Sequence, residues 1–171
     1  GDEIDAVATE MGADVGDEFD IERLIERAAR EGGPIDTVVA NAGVYHGDAG
    51  ETPLSGGSYA AFDDHLRTNA RGVFATVTEA LSHLAADGPV LVASGPIARE
   101  TRAGFGSYAV SKAAAEAIAM QFAADIAQPV GVVDPGQVAT DLTGGRGHNV
   151  ADVAGQFRWA AVDADPETLD G

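Results

Sequence analysis

The chain has no cysteine among its 171 residues. Structural disulfides, thiolate metal sites and cysteine nucleophiles are therefore excluded. Lysine is almost missing: Lys112 stands alone, and every other Lys/Arg position is an arginine. Basic charge as a whole is scarce, with 10 Lys+Arg against 28 Asp+Glu and a formal net charge of −18. A field of that sign repels nucleic acid and anionic membranes. It also matches proteins of a very salty cytoplasm, where ions screen self-repulsion. No apolar run reaches bilayer-spanning length. Residues 1–11 are acidic and lack the basic-then-apolar layout of a signal peptide. The expectation is a soluble cytoplasmic protein with no nucleic-acid or membrane partner.

What is present suits one globular domain over residues 1–171, at 45% apolar and 22% charged. Apolar runs alternate with helical patterns, which predicts an α/β domain built on a parallel sheet. Residues 1–15 allow two readings, a strand near 13–15 or one near 6–9. Ile21, Leu24, Ile25 and Ala28 fall at i, i+3, i+4, i+7, so residues 18–31 read as a helix that Gly32-Gly33-Pro34 stops. Residues 35–40 read as a buried strand ending in Asn41-Ala42-Gly43, and the glycine-rich stretch 44–57 as a loop. A long helix over 58–86 follows, with Tyr59, Phe62, Leu66, Val73, Val77, Ala80 and Leu84 as its apolar stripe. Strands at 89–93 and 130–133 flank an alanine-rich helix over 108–127, whose Ala115, Ala119, Phe122 and Ile126 share a face. Asn149 caps a last helix bearing Val150, Val153, Ala154, Phe157 and Ala161.

The sharpest chemical signal is Tyr108-Ala-Val-Ser-Lys112. Residues four apart share a helix face. An ammonium beside a phenol lowers the phenol's pKa from about 10 towards neutrality, making a general acid/base for a hydroxyl or carbonyl substrate. The bland alternative is an exposed helix pair. The placement of the chain's one lysine at this spot favours the functional reading. Asn69 interrupts the apolar stripe of the long helix, either bonded to nearby backbone or holding water or loosening the helix beside an active site. Ser94 ends a buried strand, where the ligand crevice of an open α/β sheet lies; otherwise it merely starts the Gly95-Pro96 turn. Asn41-Ala42-Gly43 and Pro135-Gly136 also follow strands, and small residues there let a ligand approach the backbone. His46, His65, His83 and His148 show no metal spacing and read as surface or core histidines.

In this order the residues resemble the short-chain dehydrogenase/reductase family. Its pattern is an aspartate after the third strand, Asn-Ala-Gly after the fourth, then an active-site asparagine and a serine. Tyr-x-x-x-Lys follows, and Pro-Gly with a nearby threonine completes it. Here these are Asp14, Asn41-Ala42-Gly43, Asn69, Ser94, Tyr108 with Lys112, and Pro135-Gly136 with Thr140. The resemblance implies a Rossmann-type doubly wound parallel sheet with helices on both faces. It implies NAD or NADP as cofactor, a small-molecule carbonyl or alcohol as substrate, and a homodimer or homotetramer. It assigns catalysis to Asn69, Ser94, Tyr108 and Lys112. It assigns cofactor contacts to Asp14, Val15, Asn41, Ala42, Gly43, Tyr108, Lys112, Pro135, Gly136 and Thr140.

Ser94 lies one residue farther from Tyr108 than the pattern has it, and Gly95 occupies the commoner spacing. No Gly-rich phosphate turn precedes Asp14, and the family's first two strands are not in this sequence. In a 3-2-1-4-5-6 sheet that leaves the fourth strand with an open edge. The chain by itself is then expected to fold poorly and to bind the dinucleotide weakly. Two other readings remain: a non-catalytic remnant or interaction module, and an epimerase- or dehydratase-like use of the same cofactor.

Overall fold

A computed structural model describes residues 10–139, 143–164 and 168. Its centre is a parallel three-stranded sheet of β1 (Val38–Ala40), β2 (Val90–Ala93) and β3 (Val130–Val133), in that spatial order. Val38, Val90 and Val130 lie in register, as do Ala40, Val92 and the neighbouring Val132. Side chains alternate faces along a strand, so these residues form one apolar sheet face. They join one core cluster with Ile21, Ile25, Val73, Val77, Ala80, Ala115 and Ala119.

The helices that cover this face are α1 (Glu18–Gly32), α3 (Gly72–Ala80) and α4 (Gly106–Asp125). Asp17 caps α1 by accepting from the Phe19 N–H, and Ile21 and Ile25 are its buried residues. In α4 the buried apolar positions are Ala115 and Ala119, whose small side chains let the helix approach the sheet. On the opposite face Leu91 is fully buried, and α5 (Val150–Val162) contacts β2 and β3 there. Helices thus cover both faces of β2, and all four of its residues are buried. Each large aliphatic side chain so buried contributes about 1.5–3 kcal/mol.

β1 pairs with β2 alone among the described residues, so its outer edge is open. Val39, facing away from the core cluster, is 44% exposed. An apolar groove runs along this edge between α1 and α3, lined by Val15, Ile21, Ile25, Val39 and Val73 and ending at Asn41.

Several expectations are corrected. Residues 13–15 are not a strand: Val15 and Gly16 form a turn whose Asp17 N–H donates to the Asp14 carbonyl. The alternative strand at 6–9 lies outside the described residues. The helix expected over 58–86 is helical from Tyr59 to Ala80 only, in three parts: α2 (Tyr59–His65), a π-helical stretch Leu66–Arg71, and α3. It stops early because His83 and Ala85 turn to bond Ile35. A π-helical turn carries more residues than an α-turn, so the apolar stripe does not continue through it, and Tyr59 is 91% exposed. In α5 the buried residues are Val153 and Ala160, whereas Val150 and Ala154 face solvent.

Candidate functional site

Parallel strands end on one side of the sheet, so Asn41, Ser94 and Asp134 all follow strands at the same edge. Helix α4 crosses that edge with Tyr108 in its first turn and Lys112 in the next. The Lys112 Nζ donates to the main-chain carbonyl of Ala93 at 2.6 Å, which sets the ammonium beside Ser94. The Ser94 N–H is bonded to the Val133 carbonyl, while its buried Oγ has no hydrogen-bond partner among the described residues. A buried hydroxyl normally finds a partner. Its lone pairs and proton are therefore available to an oxygen of a bound molecule.

Asn69, in the π-helical stretch, is buried and fully engaged. Its Oδ1 accepts from the Val44 N–H at 2.7 Å, and its Nδ2 donates to the Val44 carbonyl at 3.0 Å and to Ser111 Oγ at 2.9 Å. Ser111 in turn donates to the Tyr108 carbonyl. The amide bonds nearby backbone, and the helix departs from α geometry at that point. The same bonds fix the chain just after Asn41-Ala42-Gly43, which lies exposed at the end of β1.

The expected lowering of the phenol is not the net outcome of this arrangement. Burial, and then the neighbouring Tyr45, push the Tyr108 phenol above its ordinary value. Burial lowers Lys112, and the Glu116 carboxylate one turn further along α4 opposes that shift. Glu116 accepts from Arg99 Nε at 2.8 Å through Oε2, while its buried Oε1 has no described partner.

Asp14 is exposed and occupied by local bonds. Its Oδ1 accepts from the Gly16 N–H, and its Oδ2 from Arg67. Its carboxyl sits below its usual range, chiefly because of the Gly16 N–H. Val15 packs against Gly72 of α3 at the apolar groove. Gly136 is held in a turn by its N–H on Asp134 Oδ1 at 2.9 Å, with Pro135 before it. Thr140 lies outside the described residues.

The sequence did not single out the residues that fasten this site from the other side. The Tyr45 ring stands edge-on to Tyr108 with centroids 4.7 Å apart. Its hydroxyl bonds Thr52 Oγ1 at 2.6 Å, and Thr52 bonds the Gly104 carbonyl through both its N–H and its hydroxyl. His65 is buried and bonded at both ring nitrogens: Nε2 accepts from the His46 N–H at 3.0 Å, and Nδ1 meets Ser107 Oγ at 2.8 Å. An accepting Nε2 puts the ring proton on Nδ1, so Nδ1 donates and cannot take the Ser107 proton. A serine–histidine nucleophile is therefore excluded here. His65 stands four residues before Asn69, on the same helix face, which is the one sequence signal it offered. A cavity of ≈ 390 Å³ opens among His46, Glu51, Thr52, Ser58, His65 and Ser107.

Among the described residues no group of acidic and histidine side chains is arranged to hold a metal ion, and no helix is long and apolar enough to cross a membrane.

The chain is 31% identical over 138 residues to a tetrahydroxynaphthalene reductase of Pestalotiopsis fici, covering 77% of this chain and 48% of that protein. It is 29% identical over 136 residues to an NADPH-dependent aldehyde reductase 2 of Arabidopsis thaliana chloroplasts, covering 76% and 49%. The chain thus spans about half the length of the curated relatives it matches. Among solved structures, a short chain dehydrogenase from Burkholderia cenocepacia in complex with NADP superposes with a TM-score of 0.78. It is 25% identical, and the match covers 88% of this chain and 68% of that one. A gluconate 5-dehydrogenase from the same species, at 21% identity and a TM-score of 0.76, covers 86% and 66% and shares the fold. The family model for short chain dehydrogenases matches residues 2–151. A match of that extent, running into α5, makes the chain a member of the short chain dehydrogenase family.

Proposed function

We propose that the chain carries the catalytic part of an NAD(P)-dependent oxidoreductase that reduces a carbonyl to an alcohol, and runs the reverse reaction with Tyr108 as base. The observation that carries this reading is the unpartnered, buried Ser94 hydroxyl beside the seat of Lys112. A substrate carbonyl oxygen satisfies that hydroxyl as no described protein group does. Family membership and the reductase names of the curated relatives support the same chemistry.

The residues present suit the nicotinamide-ribose half of a dinucleotide. Lys112 and Tyr108 would meet the ribose and Pro135 and Gly136 the nicotinamide end, while Asn41, with Ala42 and Gly43 at the exposed end of β1, would lie towards the adenosine half. Asp14, Val15 and Thr140 are proposed for the remaining contacts. When bound, the cofactor supplies or accepts the hydride. The phenol of Tyr108, raised by burial and by Tyr45, keeps its proton at neutral pH and is suited to giving it to a carbonyl oxygen. The ammonium of Lys112 then favours the phenolate left behind. Ser94 orients the carbonyl, and Asn69 holds the backbone around it. The relatives' names leave NAD and NADP both open.

A second reading is a non-catalytic interaction module. The open outer edge of β1 and the apolar groove beside it favour this view, because exposed strand edges invite pairing. One experiment separates the two. Tyr108→Phe in an active preparation is expected to cut kcat by about 10²–10⁴-fold, the usual worth of a general acid, with dinucleotide affinity nearly unchanged. Wild-type turnover in that variant removes Tyr108 from the mechanism. Failure of the native chain to bind either dinucleotide favours the module.

A further inference from the structure

The chemistry proposed above uses neither His65 nor the loop that it holds. Three elements meet at His65: the loop 44–57, the junction of α2 with the π-helical stretch, and the first turn of α4. The ring is 3% exposed, and each nitrogen has a defined partner on a different element. Its centroid lies 5.9 Å from those of both Tyr45 and Tyr108. Tyr45 is the loop residue that stands against Tyr108. Moving the loop therefore moves the wall of the Tyr108 ring, and moving Ser107 moves its chain neighbour Tyr108.

We propose, on the reading that Tyr108 is the proton-transfer residue, that His65 positions it. Carrying its proton on Nδ1, His65 ties the loop 44–57 to the start of α4 and so sets the Tyr108 ring against Tyr45. The device is sensitive to protonation. A second ring proton on Nε2 faces the His46 N–H, donor against donor, and the loop loses that anchor. Titratable and charged groups face His65 from each side. The loop presents Tyr45, His46 and, across the cavity, Glu51; α4 presents Tyr108; its own helix presents Asp64, paired to His46 at 2.6 Å and to Arg67. Burial first, and then His46, hold His65 below the ordinary histidine value, while Asp64 opposes them. The ring is thus kept in its anchoring form.

Two substitutions separate the two bonds. A glutamine side chain reaches as far as Nε2 and can accept from His46, whereas asparagine reaches only as far as Nδ1 and can serve Ser107. The full chain carrying H65Q or H65N is compared with the native chain by NMR. Side-chain ¹⁵N spectra should give His65 the Nδ1–H tautomer. The His46 amide should exchange slowly in the native chain and in H65Q, and quickly in H65N. The Tyr108 ring resonances should move most in H65N, which frees the loop that walls the ring, and less in H65Q, which keeps that anchor.

In turnover, H65N is expected to lose about ten-fold or more in kcat through misplaced geometry, with the dinucleotide KM unchanged. H65Q should keep most of kcat and lose the acid limb expected in native kcat/KM. A merely structural histidine lowers the unfolding midpoint but leaves the Tyr108 resonances and the pH profile alone, and that result overturns the proposal, as does the Nε2–H tautomer. If the native chain shows no turnover at all, the oxidoreductase reading fails. The tautomer, the His46 amide and the Tyr108 ring shifts then still decide whether His65 sets that ring.

Discussion

Asn69 pairs with Val44 through its side chain as a strand residue pairs through its backbone, accepting from the N–H at 2.7 Å and donating to the C=O at 3.0 Å. This reciprocal pair joins the end of β1 to the helix behind it. Through Ser111 it reaches the turn of α4 that bears Tyr108.

Replacing Asn69 by alanine removes three hydrogen bonds and leaves Val44 unpaired in a partly buried site. Asn69→Ala is expected to cost about 2–3 kcal/mol, in the range of a buried polar group left without its partner. Urea unfolding measures it. A loss below about 0.5 kcal/mol, the size of an ordinary surface substitution, contradicts the role given to this amide.

Ser94 should behave in the opposite way. Its Oγ has no described partner to lose, so Ser94→Ala is expected to leave the unfolding free energy within about 0.5 kcal/mol. Turnover should nonetheless fall by about 10²–10³-fold, as when a hydrogen-bond donor to a reacting oxygen is removed. Equal kcat in the variant and the native chain rules Ser94 out of the site.

Gly104 is where the loop 44–57 passes closest to the turn before α4. It has φ +82, and a Cβ there would lie 1.9 Å from the Gly50 carbonyl oxygen. Alanine meets both a backbone clash and an unfavourable left-handed conformation. Gly104→Ala should destabilise the chain by more than the ~1 kcal/mol that a strained φ alone costs. Near-UV circular dichroism should also report a changed environment for the Tyr45–Tyr108 pair. An unchanged melt and spectrum would mean that the loop is not held there.

Acid should weaken the fold in a definite window. The Asp64 carboxyl is lowered by His46 and then Arg67, Glu18 by Arg71, and Asp14 by the Gly16 N–H. A carboxylate with a depressed folded pKa contributes stability that is fully present above its unfolded value, about 4. That contribution is lost as pH falls through the lower folded value. Urea midpoints should therefore hold steady for these groups down to about pH 4.5 and drop below it. Asp14 and Glu18 are exposed and Asp64 is only half-buried, so the effect is modest and added salt shrinks it. Midpoints that rise as pH falls through this range would contradict the pairing.

Much of the architecture was legible from local patterns. The helix at Glu18–Gly32, the strands Val90–Ala93 and Val130–Val133, and the Asn149 cap all follow from periodicity, stop signals and cap chemistry. These cues act within a few residues and do not depend on partners. The long helix ran over its true end because Leu84 continued the apolar stripe. Leu84 is indeed buried, but by bridging to Ile35 after the helix has ended. The turn at Val15 likewise resembled a strand, since a short apolar run does not distinguish the two.

For the site, the sequence singled out Asn69, Ser94, Tyr108 and Lys112, and the structure connects them in two pairs. Lys112 bonds the carbonyl next to Ser94, and Asn69 bonds the serine that bonds Tyr108. It did not reveal Tyr45, His65 or Gly104. A tyrosine in a loop and a histidine among acidic neighbours carry no periodic signature. Their partners Thr52, Ser107 and Gly50 follow no fixed spacing from them.

By itself the sequence set one ammonium four residues after a phenol, in an acidic chain with no thiols. It determined, too, an α/β layout of parallel strands, because helical and strand periodicities are written in neighbouring residues. Only the tertiary structure decided the electrical state of that phenol. Lys112 turns to the Ala93 carbonyl while burial and Tyr45 surround Tyr108, so the phenol is raised and not lowered. Spacing along a helix fixes which side chains share a face. Where a charge points, and how dry its surroundings are, depends on groups that arrive from elsewhere in the chain.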